Sequence, residues 1–254
     1  MKNLISMVAF VTAFGLGAAS HAAPTFPGPD LVVNGNFEST TSGAGELSTL
    51  SNAYNTNLTG WNNNGYNFVF ASGTGDTTGS PSAQFGNNLS LWGKHNGSRY
   101  VLPASSPAGG NFVALDGAFE TGPLSQTLTG LTPGGTVAVS FYYGFAQQHG
   151  FDGVTNQSLD VSLGSTTQST ANFVVDNHGF TGWQFGTFYF HPTSTTETLS
   201  FLAHGDLPVP PFALLDGVTA NAVPEPATWA LTLIGLGGLG ALARRRRALS
   251  AVAA

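Results

Sequence analysis

Thr136-Val-Ala-Val-Ser-Phe-Tyr-Tyr-Gly-Phe145 is the stretch of sequence that indicates the fold class most clearly. In an extended strand, successive side chains point to opposite faces. One face of this run carries the bulkier apolar residues, Val137, Val139, Phe141, Tyr143 and Phe145. The opposite face carries Ala138, Ser140 and Tyr142. This period of two residues predicts a β-strand with one face against a hydrophobic core.

The other predicted strands are shorter and lie on both sides of this one in the sequence. They cover residues 31–38, 67–71, 111–117, 125–129, 158–163, 183–191, 198–203 and 214–220. The first contains a turn or a bulge at Asn34-Gly35, and a change of phase near Gly186-Thr187 predicts a bulge. Residues 39–59, rich in Ser, Thr, Gly and Asn, are predicted to be a long loop. No segment of helical period occurs between the two ends of the chain, so we predict an all-β antiparallel sandwich.

The N-terminus has the features of a secretory signal peptide. Met1-Lys2 gives a positive start, residues 4–19 are apolar, and Ser20-His-Ala-Ala23 offers small residues for cleavage. We therefore predict a signal helix in residues 1–23 and export of the remainder. Residues 24–222 are then the working part, which is long enough for one β-domain.

The C-terminal tail combines three features in a fixed order. Pro224-Glu225-Pro226 is a stiff, non-helical start, and about 17 uncharged residues follow at about 227–243. That length is near the lower limit for a membrane-spanning helix. Four cations, Arg244, Arg245, Arg246 and Arg247, come next and mark the cytoplasmic side. The simplest interpretation is a C-terminal membrane anchor within residues 223–254.

This order of features resembles the PEP-CTERM sorting signal of Gram-negative bacteria that produce exopolysaccharide. The resemblance covers about a tenth of the chain. It implies that the protein is held in the inner membrane as an intermediate and is cut near Pro224-Glu225-Pro226 by an exosortase-like enzyme. Delivery to the cell surface or to the extracellular, biofilm-forming matrix would follow.

The charge of the exported part excludes some partners. Residues 24–222 contain two strong cations, Lys94 and Arg99, and twelve acidic side chains, so their formal net charge is −10. Such a surface repels phosphate backbones and anionic lipids, which argues against nucleic-acid or headgroup binding. It is compatible with bound divalent cations. Because the chain has no cysteine, its stability must come from packing, with a metal as the one further aid.

Three short segments resemble galactose-binding-like jelly rolls, which include several carbohydrate-binding modules. They are residues 31–38 (LVVNGNFE) with Gly60-Trp61, residues 124–135, and Leu215-Asp216-Gly217-Val218. The resemblance implies a jelly-roll sandwich. It also implies a structural calcium that joins the first strand to the last through Glu38 and Asp216, with carbonyls or waters completing the six to eight oxygens that calcium needs. The alternative is that Glu38 caps a turn and Asp216 accepts a bond from a neighbouring backbone amide.

Few residues point to catalysis. Asp116 and Glu120 are four residues apart, and a pair of carboxylates is what glycoside hydrolysis requires. However, Gly117 ends the strand, so we expect these acids in a solvated loop or at a metal. The five histidines of the exported part have no metal-ligand spacing. We therefore predict no catalytic residues and no enzyme.

Aromatic residues are the remaining candidates for contact with a glycan. Trp61 and Trp183 are expected in the core, whereas Trp92 is followed by Lys94, His95 and Asn96 and is the candidate for stacking on a sugar ring. The sequence favours an exported, non-enzymatic protein of the cell surface or exopolysaccharide matrix. One alternative is a calcium-stabilised, lectin-like glycan-binding module, and a distant one is a secreted glycoside hydrolase.

Overall fold

The computed structural model describes residue 26, residues 28–84, 88–102 and 105–224, and residue 234. The predicted signal helix at 1–23, the arginine cluster at 244–247 and all but Ile234 of the predicted membrane helix lie outside the described residues. Within the part that is described, no helix is long and apolar enough to span a membrane.

The described chain is all-β, as predicted. Its strands are β1 (Gly45–Glu46), β2 (Asn62–Asn63), β3 (Phe68–Phe70), β4 (Phe112–Asp116), β5 (Leu124–Thr129), β6 (Thr136–Gln147), β7 (Thr155–Leu163), β8 (Thr166–Ser169), β9 (Phe173–Val175), β10 (Gln184–Phe190), β11 (Thr196–Gly205) and β12 (Pro211–Val223). One turn of 3-10 helix, Lys94–Asn96, lies between β3 and β4.

The strands form two antiparallel sheets. Sheet I has the order β1-β3-β4-β12-β6-β10, and sheet II has the order β2-β5-β11-β7-β8, with β9 also paired to β7. Between β4 and β7, and again between β9 and β12, each connection carries the chain from one sheet to the other. This alternation is the connectivity of a jelly roll, and the predicted antiparallel sandwich is confirmed.

The main core lies between the two sheets. The alternation predicted for β6 is confirmed, since Val137, Val139, Phe141 and Phe145 are buried in this core and Tyr143 packs against it. The inward residues of sheet II, including Leu128, Leu159 and Phe201, meet them from the other side.

A second hydrophobic cluster covers the outer face of sheet I beneath the segment between β3 and β4. It contains Tyr66, Phe68, Phe70, Leu89, Leu91, Leu102, Phe112, Ala114, Ala146, Phe180, Phe212 and Leu214. Because β3 and β4 are covered on both faces, every residue of these two strands is buried. Their sequences therefore lack the polar alternation of a strand with one face in water.

The segment 31–38 is not the strand that we predicted. Asn34 and Phe37 have positive φ angles, 54° and 56°, and the Phe37 N–H donates to the Asn34 carbonyl. The turn at Asn34 therefore folds the chain back. Two backbone hydrogen bonds still tie the segment to β12, from Leu31 to Ala220 and from Val218 to Gly35.

The predicted bulge at Gly186-Thr187 is also wrong. The pairing of β10 with β6 is unbroken from Gln184 to Phe190. The aromatic pattern is interrupted because an added Cβ at Gly186 would lie 3.1 Å from the Phe141 ring, which fills that space. The bulge lies instead in β12 between Asp216 and Thr219, where Gly217 has a φ of 59°. The predicted loop 39–59 contains the two-residue strand β1.

Candidate functional site

A groove lies at one end of the sandwich, where the loops after β4, after β6 and before β12 meet. It encloses about 350 Å³. We call it the loop-end groove and define it by its lining residues, Tyr66, Asp116, Phe119, Gln148, Phe151, Leu207, Pro208, Pro210 and Phe212.

The loop-end groove is bordered by exposed apolar side chains. Phe119, Phe151 and Leu207 are 56%, 42% and 60% exposed, and each comes from a different loop. The ring of buried Tyr66 lies 5.8 Å from that of Phe119 and 6.5 Å from that of Phe212, measured between centroids. Apolar side chains gathered around one concave surface are typical of a binding site.

Asp116 holds the loop that presents Phe119. Its carboxylate is buried at the end of β4 and accepts the backbone N–H groups of Ala118 at 3.1 Å, Phe119 at 3.0 Å and Glu120 at 2.6 Å. Burial raises the pKa of Asp116, and these backbone donors oppose the rise. Both carboxylate oxygens are used in this turn, so Asp116 organises the loop and is not solvated; of our two expectations, only that of a metal contact stays a prediction.

Trp92 supports the loop that presents Phe151. Its indole N–H donates to the Phe151 carbonyl at 2.9 Å. The His178 ring stacks on it at 3.6 Å between centroids, and the His149 ring meets it edge-on at 4.4 Å. The side chain is partly exposed. Contact between Trp92 and a glycan therefore stays a prediction, and its indole N–H is already engaged within the protein.

Glu38 follows a segment that is hydrogen-bonded to β12, the strand that contains Asp216. Glu38 accepts the backbone N–H of Asn111 at 2.6 Å, and Asp216 accepts that of Gly217 at 2.7 Å and the hydroxyl of Ser106. Burial, with a smaller contribution from the charge of Glu38, raises the pKa of Asp216 to about 7. The Asp216 contact matches the alternative of a bond from a neighbouring backbone amide, whereas the amide that Glu38 accepts is 73 residues away in the sequence. In the described residues no three Asp, Glu, His or Cys side chains gather as a metal site, so calcium here stays a prediction.

Sequence reasoning missed the loop-end groove. Its exposed residues lie in loops of no periodicity, and only two local signals mark them: Phe151 stands in Gly150-Phe-Asp-Gly153, and Leu207 begins the proline-rich run Leu207-Pro-Val-Pro-Pro211. Neither signal shows that the two loops meet.

Comparison with solved structures found carbohydrate-binding modules at low similarity. TmCBM61, solved in complex with β-1,4-galactotriose, is 16% identical with a TM-score of 0.37, over 76% of this chain and 99% of that one. The CBM22-1 xylan-binding domain from Paenibacillus barcinonensis Xyn10C is 13% identical with a TM-score of 0.36, over 80% and 99%. Since both TM-scores are below 0.5, the fold assignment rests on the strand pairing of this chain alone.

Comparison with sequences gave one match, at the tail. No curated protein matches the chain. Residues 222–247 match the model of the PEP-CTERM protein-sorting motif, which includes Pro224-Glu225-Pro226 and the four arginines. That motif implies export, attachment to the membrane before processing, and processing by an exosortase. The chain carries a PEP-CTERM protein-sorting motif.

Proposed function

We propose that this protein is an exported, non-catalytic glycan-binding protein of the cell surface or exopolysaccharide matrix, which binds sugar through the loop-end groove. The observation that carries the proposal is the convergence of three exposed apolar side chains from three loops on one groove. The volume of about 350 Å³ lies within the usual range of ligand pockets.

The chemistry of the groove suits a sugar ring. A pyranose has apolar C–H faces and hydroxyl edges, so it packs its face on an aromatic ring while its edge forms hydrogen bonds. Phe119 and Phe151 offer the aromatic surfaces, and Gln148 offers an amide beside them. Because the exported part has a net charge of −10, we propose neutral glycans over polyanionic ones.

The geometry of Asp116 favours binding over hydrolysis. A glycosidase needs one carboxyl to give a proton and a second to act as nucleophile or base. Asp116 accepts three backbone N–H groups of its own loop. This arrangement stabilises the loop and leaves the carboxylate poorly placed to reach a glycosidic bond.

We expect the double substitution Phe119→Ala and Phe151→Ala to weaken glycan binding by about tenfold or more, since each removes an aromatic surface at the groove. The measurement is a titration of the full-length chain, purified in detergent, against a panel of neutral oligosaccharides and exopolysaccharides. Tyr189→Ala is the matched control. Tyr189 is 50% exposed but pairs with Ala138, at the end of β6 away from the groove.

Three outcomes of that experiment would contradict the proposal. Equal loss of affinity in the Tyr189→Ala variant would place the glycan elsewhere. Absence of binding by the folded wild-type chain would favour a matrix protein without a glycan site. Release of reducing ends from any polymer would revive the hydrolase alternative.

We further propose that Glu38 and Asp216 hold a structural calcium between the segment 31–38 and β12. The backbone hydrogen bonds between this segment and β12 support it, and so does the charge of Glu38, which opposes ionisation of Asp216; a cation would relieve that repulsion. We expect a chelator to lower the Tm of the wild-type chain by more than it lowers that of Asp216→Asn, which lacks this site. A thermal melt with and without EDTA measures both, and an unchanged wild-type Tm argues against the site.

We propose that an exosortase-like enzyme of the producing bacterium cuts the tail near Pro224-Glu225-Pro226. Replacing all three residues by alanine is expected to leave the full-length form in the inner-membrane fraction, because the enzyme loses the motif that it reads. Immunoblots of membrane and extracellular fractions measure this, and Pro29→Ala, a proline outside the tail, is the control. Normal release of the triple variant would show that the triplet is not the processing signal.

A further inference from the structure

Glu46, in the edge strand β1, has a buried carboxylate with one oxygen that lacks a hydrogen-bond partner among the described residues. The residue is 1% exposed. Its Oε2 accepts the backbone N–H of Gln84 at 2.5 Å. Within the described part of the chain, its Oε1 is buried and has no hydrogen-bond partner. A buried polar atom without a partner is costly, and an ionised one costs more, so such an atom calls for an explanation.

A second carboxylate, that of Glu120, binds the same glutamine as Glu46. Gln84 lies between the two acids, since its side-chain Nε2 donates to Glu120 Oε2 at 3.3 Å. Burial raises the pKa of Glu46 to about 7, and the charge of Glu120 adds to the rise. Glu46 and Glu120 are thus two acids bound to one glutamine, and Glu46 has an unsatisfied oxygen. Among the described residues, no cationic side chain pairs with either acid.

Neither strong cation of the exported part is a partner for Glu46 or Glu120. Arg99 pairs with Asp176 at 3.6 Å, and Lys94 has no ion pair with a carboxylate in the described part of the chain. In the described part of the chain neither Glu46 nor Glu120 forms an ion pair, which leaves the place open to a cation from solution. Because every donor on offer is a hard oxygen, a divalent cation of the calcium type suits the place better than a softer metal.

We propose that Glu46 Oε1 and the carboxylate of Glu120 bind a divalent cation of the calcium type, with waters and backbone carbonyls completing its coordination. Glu120 is exposed, so the ion reaches the buried oxygen from solvent on that side. The site is separate from the Glu38–Asp216 pair and does not require that the protein bind glycan.

Its position gives the cation a structural effect. Glu46 belongs to β1 at the edge of sheet I, and Glu120 ends the turn that Asp116 caps and that presents Phe119. The Tyr66 N–H also donates to the Glu120 carbonyl, at 2.8 Å. A cation held by both acids would fasten the Phe119 loop to the edge of the sheet.

The test uses calcium chloride and the full-length chain in detergent, in a Glu38→Gln/Asp216→Asn background that removes the other candidate site. We expect calorimetry to detect one bound calcium in this background, with a rise in Tm. Adding Glu46→Gln should weaken the binding by about tenfold or more. Glu120→Gln, at an exposed position that folding tolerates, should weaken it as well. The matched control is Glu197→Gln, which changes a half-buried acid that accepts backbone N–H groups of Thr193 and Ser194; it should bind as the background does.

Two results would overturn the proposal. One is a folded background protein with no calcium heat and no shift in Tm, which would mean that Glu46 is simply a neutral buried acid. The other is binding of unchanged affinity in both the Glu46→Gln and Glu120→Gln variants.

Discussion

Replacing Phe141 by alanine lowers the free energy of unfolding by about 3–5 kcal/mol, the usual cost of truncating a fully buried phenylalanine. Phe141 is 0% exposed and lies at the centre of the core between the sheets. Its ring centroid lies 5.4 Å from that of Phe201 and 5.6 Å from that of Phe188, so the cavity would have rigid aromatic walls on two sides. Urea unfolding of the full-length chain in detergent, followed by near-ultraviolet circular dichroism, measures the change.

The matched control is Phe119→Ala, which removes the same ring from a position that is 56% exposed. We expect it to change the free energy of unfolding by less than about 1 kcal/mol. Equal losses in the two variants would mean that the core does not centre on β6.

In a buffer with chelator, the chain loses stability as the pH rises from about 5 to about 8. Burial raises the pKa of Glu46 from 4.5 to about 7 and that of Asp216 from 3.8 to about 7. Between these values the folded chain holds protons that the unfolded chain has released, so raising the pH favours unfolding. Within this pH range each group contributes about 3 kcal/mol at most, because pH 5 lies two units below the raised pKa and one pKa unit is worth ~1.4 kcal/mol.

Urea unfolding at a series of pH values measures this dependence. The Glu46→Gln/Asp216→Asn double variant should give a much flatter curve, since neither amide titrates. Calcium added at pH 8 should restore part of the loss in the wild-type chain, because a bound cation favours the ionised carboxylates. Stability that rises with pH in the presence of chelator would contradict the assignment of both groups.

Local pattern was enough for the strands of the core. Alternation at 136–145 predicted β6 because successive side chains of a strand point to opposite faces of the sheet whatever the partner strand is. It failed at 31–38, where Asn34 and Phe37 adopt positive φ angles and turn the chain. It also failed at 186–187, where Gly186 makes room for Phe141 from another strand.

The site residues were less predictable, because their roles depend on contacts between segments that are distant in the sequence. Asp116 and Glu120 stood out as acids at a regular spacing, but only the folded turn shows that Asp116 caps it and that Glu120 lies near Glu46. Glu46 itself lay in a segment predicted to be a loop. Its burial depends on the pairing of β1 with β3 and on Gln84.

By itself the sequence determined the all-β class and the identity of the sorting tail, since strand alternation and a contiguous motif are properties of neighbouring residues. Only the tertiary structure decided the order of the strands, and with it where the loops that carry Phe119, Phe151 and Leu207 come together. The tertiary structure also tied the segment that carries Glu38 to β12 and left Glu46 with an unsatisfied oxygen. Contacts between distant segments depend on how whole sheets pack, and no local period along the chain encodes that.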